Sequence, residues 1–185
     1  MAGAWESERL LLRELGPERA AAVRSYGLRC REYQKAWDPI RPEDYWELPV
    51  VAARLHSQLV DSAAGGSLCL CLSPKDDPER VIGMANVRNI IRGALMGCHL
   101  GYGLEPDATG HGYMTEAVRR VVEIGFADLG LHRVEVNIMP RNTRSMGVAE
   151  RSGFVREGFS PCYLRINGHW EDHVRLARVN EAMRP

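Results

Sequence analysis

The chain has 185 residues, of which 45% are hydrophobic and 26% charged, and its 24 basic residues balance its 24 acidic residues. This length is enough to bury a core, and we expect a single domain over residues 1–185. Zero net charge gives no overall attraction to nucleic acid or to an anionic membrane, so the composition disfavours both as direct partners.

The sequence carries no recognisable targeting or membrane segment. The N-terminus, MAGAWESERL, has neither the basic-then-apolar order of a signal peptide nor the composition of a transit peptide. No apolar run comes near the length of about 18–20 residues that is needed to span a bilayer. The five cysteines are odd in number and lack paired CxxC spacing, which favours buried free thiols over a zinc site. We therefore expect a cytoplasmic protein without a metal.

The first half of the chain alternates between extended and helical patterns. A strand is predicted over Arg9 to Leu15, followed by a helix that opens at Pro17, because proline suits the first helical position. Residues 28–65 are more helical than extended, and two prolines interrupt them at residues 37–44. Further strands are predicted at Ser67 to Leu72, Arg80 to Val87 and Cys98 to Leu104.

The second half begins with the clearest element, a helix over residues 112–129 with one apolar stripe, which stops at Gly130. A strand is predicted over Arg133 to Pro140, and a second helix from Asn142 or Thr143 to Gly153. A hairpin closes the chain, with strands Phe154 to Leu164 and His169 to Val179 around the turn Asn167-Gly168. This order predicts an α/β fold, a mixed sheet with helices on both faces.

The turn Asp107-Ala108-Thr109-Gly110-His111-Gly112 lies between a strand and the start of a helix. Its backbone N–H groups can converge on one point, where the helix dipole adds positive potential. Gly110 and Gly112 allow positive φ and a close approach to a phosphate. The turn therefore predicts an anion site, although a simple tight connection has the same pattern.

Several segments in the right order resemble a known family. The xxGxG turn with the helix and strand that follow it resembles the acetyl-CoA motif of the GNAT superfamily of N-acetyltransferases. Asn137 to Gly158 and the ending Asn167 to His173 resemble the ribosomal-protein-alanine N-acetyltransferases of the RimJ/RimL type, closest to RimJ. The segments ESERLLLREL, WDPIRPE and IGMANVRNIIRG extend the resemblance over most of the chain.

The resemblance implies the GNAT fold, whose fourth and fifth strands are parallel but splayed, here Cys98 to Leu104 and Arg133 to Pro140. It implies acetyl-CoA as cofactor, held in that gap by backbone groups, with the N–H of Tyr102 or a neighbour polarising the acetyl carbonyl. Asp107 stands where the family often has Arg or Gln, which removes a side-chain contact to phosphate but leaves the backbone cradle. The residues implied to contact the cofactor are Tyr102, Gly103, Leu104, Ala108, Thr109, Gly110, His111, Gly112, Tyr113, Asn142 and Ser145.

The NxxS pattern of this group falls on Asn142 and Ser145, and the resemblance implies that the serine hydroxyl protonates the departing thiolate. Many other GNAT enzymes use a tyrosine near the end of the same helix, where this chain has Val148-Ala149-Glu150. Ser145 is therefore the best candidate acid. The alternative is that Asn142 and Ser145 only cap the helix and take no part in the reaction.

The general base is open at this stage, because the glutamate of RimL-like relatives has its counterpart at about Leu164. Glu135, His99 and residues of the hairpin remain. Strand alternation places Asp172 with apolar neighbours, either holding the substrate amine or bracing the hairpin, and turns His173 toward solvent. An α-amine has a pKa near 8 against about 10.4 for lysine, so a site without a strong base suits N-terminal amines.

For the acceptor, Trp37 and Pro39 resemble the family segment that walls the peptide cleft, with Tyr163 and Trp170 as a possible opposite wall. Core packing is the alternative for each aromatic residue. Asn86, Asn89 and Arg92 also fit the family pattern, although such asparagines are more often turn residues. Together with Asp172, the substrate-binding candidates are Trp37, Asn86, Tyr163 and Trp170.

These observations predict an N-acetyltransferase that moves the acetyl group of acetyl-CoA directly to the N-terminal alanine or serine of a protein, with a ribosomal protein as the implied partner. We expect a monomer or a homodimer. A first alternative is the same chemistry on a small amine, such as an antibiotic or a polyamine. A second is a non-catalytic acyl-CoA-binding module. Nucleotide binding is a distant third, since no P-loop lysine follows Gly112.

Overall fold

The computed structural model describes residues 3–183, which form eight strands and four α-helices. The strands are β1 (Ala4–Glu6), β2 (Leu10–Arg13), β3 (Leu68–Pro74), β4 (Gly83–Ile91), β5 (Gly97–Leu104), β6 (Arg133–Ile138), β7 (Val155–Ile166) and β8 (His169–Val179). The helices are α1 (Ala20–Gln34), α2 (Leu48–Ala63), α3 (Tyr113–Ala127) and α4 (Thr143–Arg151). The predicted α/β class is confirmed.

Two details at the start of the chain differ from the sequence prediction. Ala4–Glu6 forms an additional edge strand, which three residues are too short to reveal by alternation. Pro17 opens a 3-10 turn, Pro17–Arg19, and the α-helix itself begins at Ala20. Proline fits this first turn because its missing N–H has no partner there in any case.

All eight strands join one sheet in the order β1-β2-β3-β4-β5-β6-β8-β7. Every neighbouring pair is antiparallel except β5 and β6, which are parallel. That parallel ladder covers only Gly97 to His99 against Arg133 to Glu135. Beyond it β5 stays paired with β4 and β6 stays paired with β8, so the two strands diverge and leave a gap. The predicted splay of these two strands is confirmed.

Helices cover both faces of the sheet and bury two apolar clusters. On one face α3 and α4 pack on the strands, with residues such as Val118, Val122 and Ala149 fully buried. On the other face Val23 of α1 and Leu55 of α2 form a smaller cluster with Cys71 of β3. Because side chains alternate along a strand, Leu70 and Leu72 of β3 belong to the first cluster and Cys71 to the second.

The predicted interruption at residues 37–44 lies in the connection between α1 and α2, which includes a 3-10 turn at Glu43–Trp46. This connection is tied to the C-terminal hairpin, because the N–H of Asn167 donates to the carbonyl of Asp38 at 3.0 Å. The connection therefore lies over the C-terminal hairpin, on the face of the sheet that carries α1 and α2.

All five cysteines are free thiols, and four of them are buried as predicted. Cys162 is the exception: it is exposed on β7, where its φ of 48° marks an irregularity of the strand. No helix of the described chain is long and apolar enough to cross a membrane. Within residues 3–183 no group of three or more His, Cys, Asp or Glu side chains is arranged to hold a metal ion.

Candidate active site

The gap between β5 and β6 opens into a cavity of about 1040 Å³ that reaches both faces of the sheet. On the α3–α4 face it is lined by the glycine turn and by the start of α4. On the other face it extends into a region that we call the α1–α2 lobe. The lobe is lined by Tyr26, Gln34, Arg41, Tyr45, Trp46, Arg54, Gln58, Met84, Asn86 and Arg88.

The glycine turn has the backbone conformation that the sequence predicts. Gly110 and Gly112 have φ of 87° and 81°, and Gly112 is the N-cap of α3. A side-chain carbon added at Gly110 would meet nothing within 4 Å, so the space above this peptide is open. Of the turn residues predicted to bind the cofactor, His111 alone does not line the cavity. Asp107 is exposed and also lies outside the lining.

Arg9 holds this turn in place, which the sequence did not suggest. Its guanidinium donates to the carbonyl of His111 at 3.0 Å, pairs with Glu116 at 2.7 Å and lies over the ring of Tyr113. Burial disfavours the charged form of Glu116, but hydrogen bonds from Arg9 and Ser7 outweigh it and hold the pKa of Glu116 below its usual value. The turn is thereby anchored to the segment between β1 and β2.

The edge of β5 that faces the gap has free backbone donors. The N–H of Glu105 donates to the carbonyl of Ile82 on the β4 side. Since successive N–H groups of a strand point to opposite sides, those of Tyr102 and Leu104 point into the gap. Both residues line the cavity. These donors are available to amide or carbonyl oxygens of a bound molecule.

Ser145 and Tyr102 meet across the gap. The hydroxyl of Ser145 donates to the hydroxyl of Tyr102 at 3.1 Å, and the Tyr102 hydroxyl donates to the Ser145 carbonyl at 3.0 Å. Burial raises the pKa of Tyr102 to about 12, although the bond from Ser145 opposes the shift, so the phenol is neutral at physiological pH. Asn142 accepts from the N–H of Ser145 at 3.2 Å, so it caps α4 and also lines the cavity.

Two asparagine side chains lie on the lobe face of the sheet, one on each side of the gap. Asn86 is on β4 opposite Gly101, and Asn137 is on β6 opposite Arg175. In each, the side-chain oxygen Oδ1 is buried and has no hydrogen-bond partner among the described residues. Both line the cavity, so their oxygens can accept hydrogen bonds from a bound amine or peptide N–H.

The acidic and histidine candidates for the base do not reach the cavity. Glu135 is held by Arg133 at 2.5 Å and lies 3.5 Å from Nε2 of His99. Nδ1 of His99 is 3.1 Å from the side-chain amide of Asn89. None of these side chains lines the cavity, nor does Arg92, which donates to the carbonyl of Leu129.

His173, in contrast, is buried and lines the cavity, so the prediction that it is solvated is wrong. It shares a face of β8 with Arg175, which lies opposite Asn137, so it belongs to the lobe side of the sheet. Tyr163 covers it with an edge contact at 5.5 Å between ring centroids. Nδ1 of His173 is 2.9 Å from the carbonyl of Glu171, which can only accept. Nδ1 therefore donates its N–H to this carbonyl, which leaves Nε2 as the nitrogen that faces away from the backbone contact.

The hairpin residues proposed for the acceptor wall lie elsewhere. Trp170 is 64% exposed, and neither it nor Tyr163 lines the cavity. Asp172 also lies outside the cavity; its Oδ1 accepts from the N–H of Cys162 at 2.8 Å and so braces the hairpin. Leu164 and Ile166 of the hairpin line the cavity instead, and the register of β7 against β8 shifts between Ser160 and Leu164.

Trp37 does line the cavity, as predicted. Its ring lies under the guanidinium of Arg141, 5.1 Å from ring centroid to Cζ, and Arg141 pairs with Glu171 of β8 at 2.6 Å. Trp37 thus joins the α1–α2 connection to the segment before α4.

Positive charge dominates the lining of the cavity. Arginines line it on both faces, namely Arg41, Arg54, Arg88, Arg144 and Arg151. Asp38 is the sole carboxylate in the lining among the described residues, and it pairs with Arg41 at 3.0 Å. Such a cavity attracts anions and repels polycations.

The comparisons with known proteins agree with this geometry. The family described as acetyltransferase (GNAT) domain matches residues 9–155. The [ribosomal protein uS5]-alanine N-acetyltransferase of Escherichia coli (strain K12) is 33% identical over 92% of this chain and 88% of that protein. The probable N-acetyltransferase YjcK of Bacillus subtilis (strain 168) is 49% identical over 55% of this chain, and the match spans only 56% of YjcK.

A solved structure, Mycobacterium smegmatis RimJ in complex with CoA-disulfide, has a TM-score of 0.89 at 25% identity and covers 100% of this chain and 89% of that chain. The eight-stranded sheet with its parted parallel pair is thus shared with a protein that was solved with a coenzyme A compound. From the family match and from these relatives, the chain belongs to the GNAT family of acetyltransferases.

Proposed function

We propose that this protein transfers the acetyl group of acetyl-CoA to the N-terminal α-amine of a protein, with alanine or serine of a ribosomal protein as the acceptor. One observation carries the proposal: the cavity passes through the sheet, with an anion-binding turn on one face, the arginine-lined lobe on the other, and the Ser145–Tyr102 pair between them. A relative named for uS5-alanine acetylation supports the acceptor class. The reaction would take place in the cytoplasm, where acetyl-CoA and new ribosomal proteins meet.

The residues of the α3–α4 face fit acetyl-CoA. The N–H groups of the glycine turn would hold its pyrophosphate, and the N–H groups of Tyr102 and Leu104 would pair with its pantetheine amides. Arg144 and Arg151 also line this face; Arg144 donates to the hydroxyl of Tyr33 at 2.9 Å. When bound, acetyl-CoA supplies a thioester that is reactive toward a neutral amine.

The Ser145–Tyr102 pair would supply the proton that the sulfur needs. Ser145 stands in the first turn of α4 with its hydroxyl already directed to Tyr102. Because Tyr102 remains protonated, the pair holds hydroxyl protons at the gap throughout the neutral pH range. This supports Ser145 as the acid and adds the Tyr102 side chain to the backbone role predicted for that residue.

His173 would accept the proton of the acceptor amine through Nε2. It is the one histidine in the lining of the cavity among residues 3–183, and its Nδ1 is committed to the Glu171 carbonyl. Asn86 and Asn137 would orient the amine by accepting its N–H groups at their unpartnered oxygens. A neutral imidazole suffices for an α-amine, which gives up its proton more readily than lysine does.

The alternative acceptors fit the cavity less well. Polyamines and aminoglycosides are polycations, and the lining offers them one carboxylate that is already paired with Arg41. A non-catalytic acyl-CoA-binding module has no use for a hydroxyl pair at the gap or for a buried histidine beside it.

The first prediction concerns the glycine turn. Gly110→Ala should weaken coenzyme A binding about tenfold. Alanine disfavours positive φ by about 1–2 kcal/mol, so the free turn should relax, and binding must then restore the original conformation. Gly130→Ala is the matched control, since Gly130 also has positive φ and open space but lies outside the cavity. Isothermal titration with coenzyme A measures both variants. Equal weakening in the two would contradict a specific role for the turn.

The second prediction concerns the acid. Ser145→Ala should lower turnover about 100-fold, because the sulfur loses its proton donor, while affinity for acetyl-CoA stays unchanged. The backbone cap from Asn142 is preserved in this variant. Ser152→Ala, which removes a buried and unpartnered hydroxyl at the end of the same helix, should retain full turnover. Loss of cofactor affinity in Ser145→Ala, measured by titration, would show that the hydroxyl binds rather than reacts.

The third prediction concerns His173. His173→Gln removes the basic nitrogen and keeps a polar side chain of similar length, so turnover should fall about 100-fold with little change in cofactor binding. His169→Gln, on the exposed start of the same strand, is the control. Steady-state rates with an N-terminal alanine peptide decide the matter. Normal turnover in His173→Gln would exclude His173 as the base.

The fourth prediction tests the acceptor itself. Incubation with acetyl-CoA should add one acetyl group to peptides with free N-terminal alanine or serine, detected by mass spectrometry. The same peptides with a blocked N-terminus and a lysine should gain none, and neither should spermidine or an aminoglycoside. Acetylation of the small amines instead of the peptides would overturn the proposed acceptor.

A further inference from the structure

The α1–α2 lobe places arginine side chains where an acceptor chain would lie. Its floor is the face of β4 that carries Met84, Asn86 and Arg88 at alternate positions. Gly101 and Gly103 of β5 lie opposite Asn86 and Met84, and a side-chain carbon added at Gly101 would meet nothing within 4 Å. Gln34 and Tyr26 lie over Gly103, whereas the floor above Gly101 is free of side chains, so a peptide can reach the Tyr102 position from the lobe over Gly101.

Arg54 of α2 forms the wall above this floor. Its guanidinium lies over the rings of Tyr45 at 4.1 Å and Trp46 at 5.1 Å and donates to the Tyr45 carbonyl at 3.1 Å. One donor is used in this way, and the aromatic contacts fix the plane of the group. Burial lowers the pKa of Arg54, and the neighbouring charges of Arg41 and Arg88 lower it further. A guanidinium held among like charges gains from an anion that enters beside it.

The Arg88 guanidinium lines the lobe and has no hydrogen-bond or ion-pair partner within residues 3–183, and its positive charge contributes to the lowered pKa of Arg54. Arg41, in contrast, already pairs with Asp38 and lies over the Tyr45 ring at 4.7 Å. Arg54 and Arg88 are thus the two cations of the lobe without a carboxylate.

The spacing along β4 fixes where an anion would sit relative to the reacting amine. Asn86 lies opposite Gly101, the neighbour of Tyr102, and Arg88 is two residues farther along the strand, at about 7 Å. An extended peptide advances about 3.3 Å per residue. If an acceptor runs along β4 with its N-terminal amine at the gap, its second or third residue lies beside Arg88, in the lobe that Arg54 also lines.

We propose that the lobe selects protein N-termini with an aspartate or glutamate at the second or third residue, whose carboxylate is bound by Arg54 and Arg88 while Asn86 accepts a backbone or amine N–H. This inference rests on the proposed N-terminal acceptor and adds a sequence preference to it. Charge-assisted bonds from two arginines make the preference for acidic over uncharged residues about 10- to 100-fold.

The test measures binding and turnover on the same peptides. Peptides of identical length begin Ala-Glu, Ala-Gln or Ala-Lys, with a second set varied at the third residue. Equilibrium binding to the protein with coenzyme A bound is followed by fluorescence anisotropy, and acetylation is followed by mass spectrometry. We expect the glutamate peptide to bind about 10- to 100-fold tighter than the glutamine peptide, with the difference reduced at high salt.

Variants assign the preference to the lobe. Arg88→Gln should abolish most of it, and Arg88→Glu should shift it toward the lysine peptide. Arg31→Gln, an exposed α1 position outside the cavity, should leave it unchanged. Arg88 is itself exposed, so its variants should fold normally, and unchanged coenzyme A binding verifies this.

The possible failures are separable. Equal binding of all three peptides, or a preference that survives Arg88→Gln and Arg88→Glu, overturns the selection by the lobe even if the peptides are acetylated. Tighter binding of the glutamate peptide without acetylation supports the lobe but overturns the proposed function. The binding measurement therefore decides this inference in either case.

Discussion

The site depends on the point at which β5 and β6 stop pairing. After three parallel pairs, each strand is held by its other neighbour, β5 by β4 and β6 by β8, so neither can follow the other. The divergence leaves backbone N–H groups on the free edge of β5, and such groups need partners when they are removed from water. A break in the ladder thus becomes a row of donors for a ligand. The same gap connects the parts of the cavity that lie on the two faces of the sheet.

Two sets of residues with different tasks meet at this passage. Helix α3 and the glycine turn, fixed by Arg9, bring positive potential to one face. Arginines and aromatic rings of the α1–α2 lobe do so on the other. Between them, burial keeps the Tyr102 phenol neutral next to Ser145. The strongly charged groups therefore lie at the two ends of the cavity, and neutral proton donors and acceptors lie at its middle.

Local sequence patterns predicted much of the fold and the local geometry around the glycine turn. The glycine turn, the cap at Asn142 and the splayed strands each follow from a short segment, and the structure has them where expected. The single domain over residues 1–185 stays a prediction. The contacts across the gap could not be predicted from local patterns, because they join segments that are distant in the sequence. Tyr102 and Ser145 are 43 residues apart, and no periodicity joins them.

The hairpin shows why alternation alone misled. An irregularity around Cys162 shifts the register of β7 against β8, and Asp172 satisfies the freed N–H there. His173, predicted to be solvated on the opposite face, is covered by Tyr163. Alternation assigns Asp172 and His173 to opposite faces of β8 correctly, but neither the bulge nor the cover over His173 has a signature in the hydrophobic pattern.

The α1–α2 lobe also comes from a different stretch of the chain than the glycine turn and the Ser145–Tyr102 pair. Apart from β4, the lobe is built by residues of α1, α2 and their connection, whereas the turn and the hydroxyl pair come from residues after β4. Under the proposed function, substitutions between residues 26 and 58 would therefore alter which acceptor is modified, while the glycine turn and the hydroxyl pair stay in place. Under the same proposal, exchanging this segment between related proteins would exchange their acceptors and keep the acetyl donor.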